Sequence, residues 1–236
     1  MLVVSNIDLR TNTPIIKPSA FLKSSVRDFI LNINNDYRYM KAGYYVSLHA
    51  EILGNDVVPT TENAIDAFRP PVLLVRASKN GTPIMPYLVT DSVKQIMAEF
   101  GFPIVVFAAN PFSFNGFKTA RNRTALYRAV KSLSMNYRYA VCAQPLCGEI
   151  ISVKAFFGEC TCEDNNVKEI AKKVHENFKI PVCKLHLQRF AGKAYLCGLQ
   201  PLKIGEITPL DIDIISKIVS RVSGKDDLID ANSMLC

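Results

Sequence analysis

Few side chains in this chain are suited to catalysis. There are three histidines, His49, His175 and His186. A triad built on imidazole therefore has few arrangements, and His49 and His175 both fall inside helical patterns. Seven cysteines are spread over the 236 residues. Cys160 and Cys162 are separated by one residue, short of the roughly two to four of a zinc-ligating pair, and no histidine is spaced to complete such a site. An odd set of cysteines in a reducing compartment behaves mainly as small apolar residues. The sequence has no Walker loop, no dinucleotide fingerprint, no His-Glu metal helix and no Gly-x-Ser-x-Gly elbow. Cations are plentiful. The net charge is +7, concentrated at Lys118, Arg121, Arg123, Arg128, Lys131 and Arg138, and again at Lys168, Lys172, Lys173, Lys179 and Lys184. Such a balance suits anionic partners, whether nucleotides, nucleic acid or acidic substrates, and suits a solvated helix face equally.

The elements that must position these groups alternate between helix and strand. Met1–Ile7 reads as a strand. A helix is expected over Ser24–Asn32, with Val26, Phe29 and Ile30 inward, and another over Tyr37–Leu53 that stops at Gly54. Val57–Pro59 is a short strand leading into a helix from Thr61 or Asn63. Pro70-Pro71 marks a boundary, and Val72–Arg76 reads as an apolar strand. Thr90–Phe100 is expected as a helix capped by Thr90 or Asp91 and ended by Gly101. The continuous apolar run Pro103–Ala109 is a strand covered on both faces. A loop containing Ser113 and Gly116 follows, then a helix over Arg123–Leu133 with Thr124 as its cap. Tyr139–Ala143 and Glu149–Phe157 are strands and Val167–Phe178 is an amphipathic helix. Val182–Leu187 and Ala194–Leu199 pair across Ala191-Gly192-Lys193, and Ile212–Val222 closes the chain as a helix. The fold class is α/β with α+β lobes.

With 49% hydrophobic residues, the chain can bury a real core in one large domain or two small ones. No apolar run reaches the roughly 20 residues of a membrane span. Met1–Arg10 lacks the pattern of a secretion signal. A cytoplasmic location without membrane partners is therefore expected.

The second half carries an ordered series. Gly81-Thr82-Pro83-Ile84-Met85-Pro86 precedes a helix. Gly101-Phe102-Pro103-Ile104-Val105-Val106 opens a strand, a loop and a second helix. Tyr139–Leu146 leads into Gly148-Glu149-Ile150-Ile151-Ser152-Val153. A further helix, Lys184–Gln188 and Tyr195–Pro201 complete the order. Over residues 70–222 the series resembles the core of the ATP-grasp superfamily, and residues 36–62 resemble the preceding domain of its glutamate-ligase-like members. The resemblance implies an N-terminal α/β segment over 1–70 and an ATP-grasp-like domain over 71–236. Its nucleotide lobe would span about 101–143 and its second lobe about 144–222. It further implies ATP and Mg²⁺ as cofactors, an amino-acid-like substrate, and ligation of a carboxylate to an amine through an acyl phosphate. A homo-oligomer is compatible with it.

Placed on that pattern, the strand lysine that pairs with the phosphates falls at Phe107, which has no charge to offer. The adenine hinge falls at Gln144, Pro145 and Leu146, without its acidic residue. The terminal metal carboxylate falls near Gly198 and Leu199, with Gln200 as a poor substitute among the hard oxygen ligands that Mg²⁺ prefers. Lys118, Arg121 and Lys154 are candidates to replace the missing cation. Glu149 keeps the register of a residue that contacts ribose or a substrate amine. Glu159 and Glu163 are the candidate Mg²⁺ ligands in a shortened stretch. Each of these also reads as an ordinary surface charge. Three functions stay open: a ligase or its degenerate relative, a pseudoenzyme that binds without catalysis, and a nucleic-acid-binding module using residues 118–138.

Overall fold

Three four-stranded sheets organise the chain in the computed structural model, which describes residues 1–110 and 116–223. Ser113 lies outside the described residues. The first sheet is parallel. It contains β1 (Leu2–Ser5), β2 (Ile15–Ile16), β3 (Ile30–Ile33) and β4 (Val57–Val58) in the order β2-β1-β3-β4, with α1 (Pro18–Phe21) and α2 (Ala42–Ile52) among its connections. The helix expected over Ser24–Asn32 does not form. Its apolar end is strand β3, all four residues of which are buried. Pairing on both sides, with β1 and β4, satisfies the backbone of that run as an extended segment. Thr60 caps α3 (Thr61–Ala67) through its side chain.

The strand expected at Val72–Arg76 is also helical: it lies inside α4 (Pro70–Lys79). The two prolines act as a helix start, because their fixed φ suits the first turn and their missing N–H groups would have no partner there. Leu73, Leu74 and Ala77 then fall on the buried side. A short apolar run cannot by itself distinguish these outcomes.

The second sheet is antiparallel and comprises β5 (Leu88–Thr90), β6 (Ile104–Ala108), β7 (Phe117–Ala120) and β8 (Val141–Pro145), ordered β5-β8-β6-β7. Two helices, α5 (Val93–Phe100) and α6 (Arg123–Leu133), cover one face of it. Val93, Ile96, Leu126, Val130 and Leu133 pack there on Ile104, Val106, Val141 and Ala143. Their caps are Ser92, one or two residues after the expected Thr90 or Asp91 because Thr90 is held in β5, and Asn122, whose Oδ1 accepts the N–H of Ala125 at 2.9 Å, two residues before the expected Thr124.

The third sheet is antiparallel as well. Its strands are β9 (Glu149–Phe156), β10 (Glu159–Cys160), β11 (Val182–Phe190) and β12 (Lys193–Gln200), ordered β10-β9-β11-β12. Helices α3, α4 and α7 (Asn165–Phe178) cover one face in a shared core. The closing helix α8 (Pro209–Ser223) places Ile215 and Val219 with Val3, Ile33 and Val182, which joins the first sheet to the third. No helix among the described residues is long and apolar enough to cross a membrane.

Candidate functional site

The uncovered faces of the second and third sheets meet. Side chains alternate along a strand, so Val106 and Ala143 point to the helices while Val105 and Phe107 of β6 and Cys142 and Gln144 of β8 point to the other face; Val105 pairs with Gln144 and Phe107 with Cys142. The same alternation on β11 sends Leu185 and Leu187 to the helical core and leaves Lys184, His186 and Gln188 facing the second sheet.

Phe107 lies at the centre of this junction. It is 2% exposed and packs with Leu74, Val105, Cys142 and Cys197. Its ring centroid is 5.4 Å from that of Phe117, which is in turn 5.0 Å from His186 in an edge-on contact. A chain of three rings thus runs from one sheet to the other. Gly198 makes room for it: a Cβ there would lie 3.0 Å from Cε1 of Phe107. His186 Nδ1 is 2.9 Å from Ser152 Oγ, and burial holds the imidazole below its ordinary pKa. Among the described residues, neither amide atom of fully buried Gln144 has a hydrogen-bond partner. The amide of Gln188 instead bridges the end of β8 and its following residues. Its Oε1 accepts the N–H of Cys147 and its Nε2 donates to the carbonyl of Pro145, each at 3.0 Å.

Beside the rings opens a cleft of about 640 Å³. Its charged lining comes from all three sheets' connections: Asp36 and Arg38 after β3, Lys118 on β7, Lys184 on β11, and Lys203 and Glu206 beyond β12. Most of these charges are paired. Arg38 clasps Asp36 with N···O distances of 3.0 and 2.7 Å. Lys184 donates to both oxygens of Glu206 at 2.7 and 2.8 Å, and this bond holds the Glu206 carboxyl below its ordinary pKa. Among the described residues no group of three His, Cys, Asp or Glu side chains is placed to hold a metal.

The residues singled out in the sequence are dispersed. Lys118 lines the cleft and donates to Ser132 Oγ at 2.8 Å. Gln144 faces the sheet junction, and Leu146 gives its N–H to Pro103. Lys154 is bound to Asp211 at 2.6 Å and to the carbonyl of Glu206 at 2.5 Å. Burial alone would raise the Asp211 carboxyl, but Lys154 and the N–H of Thr208 outweigh it and hold it low. Glu149 is exposed at the start of β9. Glu159 reaches Arg221 at 3.7 Å and Glu163 is exposed; neither lines the cleft. Arg121, the third candidate cation, is exposed beyond β7. Sequence reasoning passed over Asp36, Arg38 and Glu206, which stand in no motif, and used His186 and Gln188 only as markers of a metal search and a strand. The alternation of β11 was the one signal that put Lys184, His186 and Gln188 on a common face.

The family model described as the RimK-like ATPgrasp N-terminal domain matches residues 19–106 and 113–217. Among solved structures, the chain is similar to a RimK domain ATP-grasp protein from Sphaerobacter thermophilus DSM 20745. The TM-score is 0.66 at 13% identity, covering 92% of this chain and 97% of the other. It is also similar to the D-alanine–D-alanine ligase from Bacillus anthracis, with a TM-score of 0.67 at 13% identity, covering 98% and 99%. A third similar structure is the ATP-grasp ligase PsnB complexed with precursor peptide PsnA2 and AMPPNP, with a TM-score of 0.61 at 12% identity, covering 94% and 98%. No curated protein matches the chain.

Proposed function

Because the chain belongs to the RimK-like ATPgrasp N-terminal domain family and has an ATP-grasp fold, we propose that it is a non-catalytic ATP-grasp module that binds rather than ligates. Its cargo is then a peptide or amino-acid-like substrate, as in the peptide complex of PsnB.

The observation that carries this reading is Phe107. Phosphoryl transfer relies on positioned positive charge and metal, with little covalent help from the protein. Here the position expected for the phosphate-binding lysine holds an aromatic ring wedged between the sheets against Phe117 and Gly198. Two more observations support it. In the segment expected as the adenine hinge, the carbonyl of Pro145 and the N–H of Leu146 are already taken by Gln188 and Pro103, and Gln188 also binds the N–H of Cys147 just beyond it. The cleft carboxylates Asp36 and Glu206 are neutralised by Arg38 and Lys184, so the residues present do not fit Mg²⁺, which needs free hard oxygen ligands. Nor do they fit ATP on the second sheet, where rings take up the space.

Thermal denaturation with ATP, with and without Mg²⁺, tests the reading. A ligand at about 100 times its Kd stabilises the folded state by roughly 2.7 kcal/mol. The expected result is no shift at millimolar nucleotide. A Mg²⁺-dependent rise in Tm would instead favour an active ligase that draws on Lys118 in the open cleft.

A further inference from the structure

The face of α6 turned away from the sheet carries charge of one sign. Between Glu99 and Glu149 the sequence contains six basic residues and no acidic one. Five of these, Arg121, Arg123, Arg128, Lys131 and Arg138, are exposed. None of the six takes part in an ion pair among the described residues. This separates them from the lysines of the third sheet, most of which are matched to carboxylates. The inward side of the helix, Leu126, Ala129, Val130 and Leu133, is fully used in packing, so the outward side is the part free to meet a partner.

The end of the helix turns this charged face into a shaped one. Met135, Asn136 and Tyr137 adopt left-handed backbone conformations in succession, with φ of 53°, 60° and 60°. Side chains rarely take up that geometry without support. Ser134 supplies it: its Oγ accepts the N–H of Tyr137 at 2.7 Å, and its carbonyl accepts the N–H groups of Arg138 and Tyr139. The turn lays a depression of about 630 Å³ against the helix, lined by Met135, Ser132 and Asn136 and flanked by Arg128, Lys131 and Arg138. The lining therefore combines an apolar side chain, two neutral polar groups and three cations.

We infer that this depression is the docking surface for an acidic protein segment, one that places an apolar side chain on Met135 and carboxylates on Arg128, Lys131 and Arg138. Arginine presents a planar fork that matches a carboxylate in two bonds, and arginine, tyrosine and methionine are enriched where proteins meet. Nucleic acid fits the same charge less well. Stacking of bases needs open aromatic faces, whereas none of the six residues lining the depression is aromatic, the exposed Tyr137 and Tyr139 lie outside that lining, and the ring of Tyr127 is already covered by the Arg123 guanidinium at 5.6 Å. The surface lies across the second sheet from the Phe107 ring cluster, so the inference holds whether or not nucleotide binds in the cleft.

Fluorescence anisotropy on the full chain tests it, with a short labelled peptide of alternating glutamate and leucine as the probe. A lysine–leucine peptide and a single-stranded oligouridine of similar length serve as comparators. The glutamate–leucine peptide is expected to bind, more weakly as salt rises, and the lysine–leucine peptide not to bind. The double substitution Arg128→Glu with Arg138→Glu should weaken binding by about tenfold or more. Both side chains are exposed and outside any ion pair among the described residues, so the Tm should stay unchanged; Met135→Ser, which keeps the charge, should weaken binding as well. The inference is overturned if the acidic peptide does not bind, if the double variant binds it unchanged, or if oligouridine binds more tightly than the peptide.

Discussion

Replacing Phe107 by alanine probes the ring cluster on which the functional reading rests. The side chain is 2% exposed and sits between two sheets, so its loss is felt on both. Burial of a phenylalanine side chain is worth about 1.5–3 kcal/mol. The cavity left behind adds about 24 cal/mol per Å³ that fails to collapse. With roughly 60 Å³ remaining, a plausible share of a lost ring, that adds about 1.5 kcal/mol. The total, about 3–4.5 kcal/mol, agrees with the range known for Phe→Ala in cores. For a chain of this length it corresponds to a fall in Tm of roughly 6–18 °C. Urea denaturation followed by circular dichroism measures the loss, and Mg·ATP titration of the same variant measures any gain. Phe107→Lys completes the experiment. If the rings are structural, a lysine there is a buried cation without a partner, and stability falls at least as far as with alanine. A Phe107→Ala loss below about 1 kcal/mol would refute the reasoning. So would a Phe107→Lys variant that kept its stability and acquired Mg²⁺-dependent ATP binding, because the ring would then be a replaceable occupant of an otherwise intact site.

Four further outcomes follow from the same geometry. Gly198→Ala should destabilise by about 1–3 kcal/mol, since its Cβ would meet the Phe107 ring at 3.0 Å; combining it with Phe107→Leu should recover part of the loss, as a double-mutant cycle in urea will report. Gln188→Ala should cost about 1–3 kcal/mol by removing the two hydrogen bonds that its buried amide makes to Cys147 N–H and the Pro145 carbonyl, read as a lower urea midpoint. Burial lowers the pKa of both His175 and His186, so the unfolded chain binds more protons than the folded one as pH drops through the ordinary histidine range. Stability should therefore decline below about pH 6.5, seen as a falling urea midpoint between neutral pH and pH 5. Asp211 has a depressed folded pKa, so its contribution is complete above the ordinary aspartate value and is lost as pH falls through the folded one. Asp211→Asn should thus be clearly less stable than the parent at pH 7, toward the low end of about 3–5 kcal/mol because Lys154 is partly exposed, and the gap should narrow below about pH 4.

Much of this molecule was legible in its sequence. The 3.6-residue spacing of Leu126, Val130 and Leu133 determined α6, and that of Ile170, Val174 and Phe178 determined α7. The continuous apolar run at Ile104–Ala108 determined a strand covered on both faces. The ordered segments over residues 70–222 pointed to the ATP-grasp fold, and the resemblance they carry put Phe107 where a phosphate-binding lysine is expected. Short apolar runs were beyond its reach. Ile30–Ile33 became a strand because neighbours pair with it on both sides, and Val72–Arg76 a helix because two prolines start one there. Pairing and packing decide such segments, and neither is a local property. The tertiary structure alone decided which charges meet. Lys154 and Lys184 face each other on adjacent strands, and only the return of the chain at Glu206 and Asp211, more than twenty residues later, neutralises them. It also decided that Phe107, Phe117 and His186 form one row of rings and that Gln188 reaches back to the end of β8. Sequence specifies which groups a strand carries and on which face; what those groups touch depends on how separate sheets are brought together.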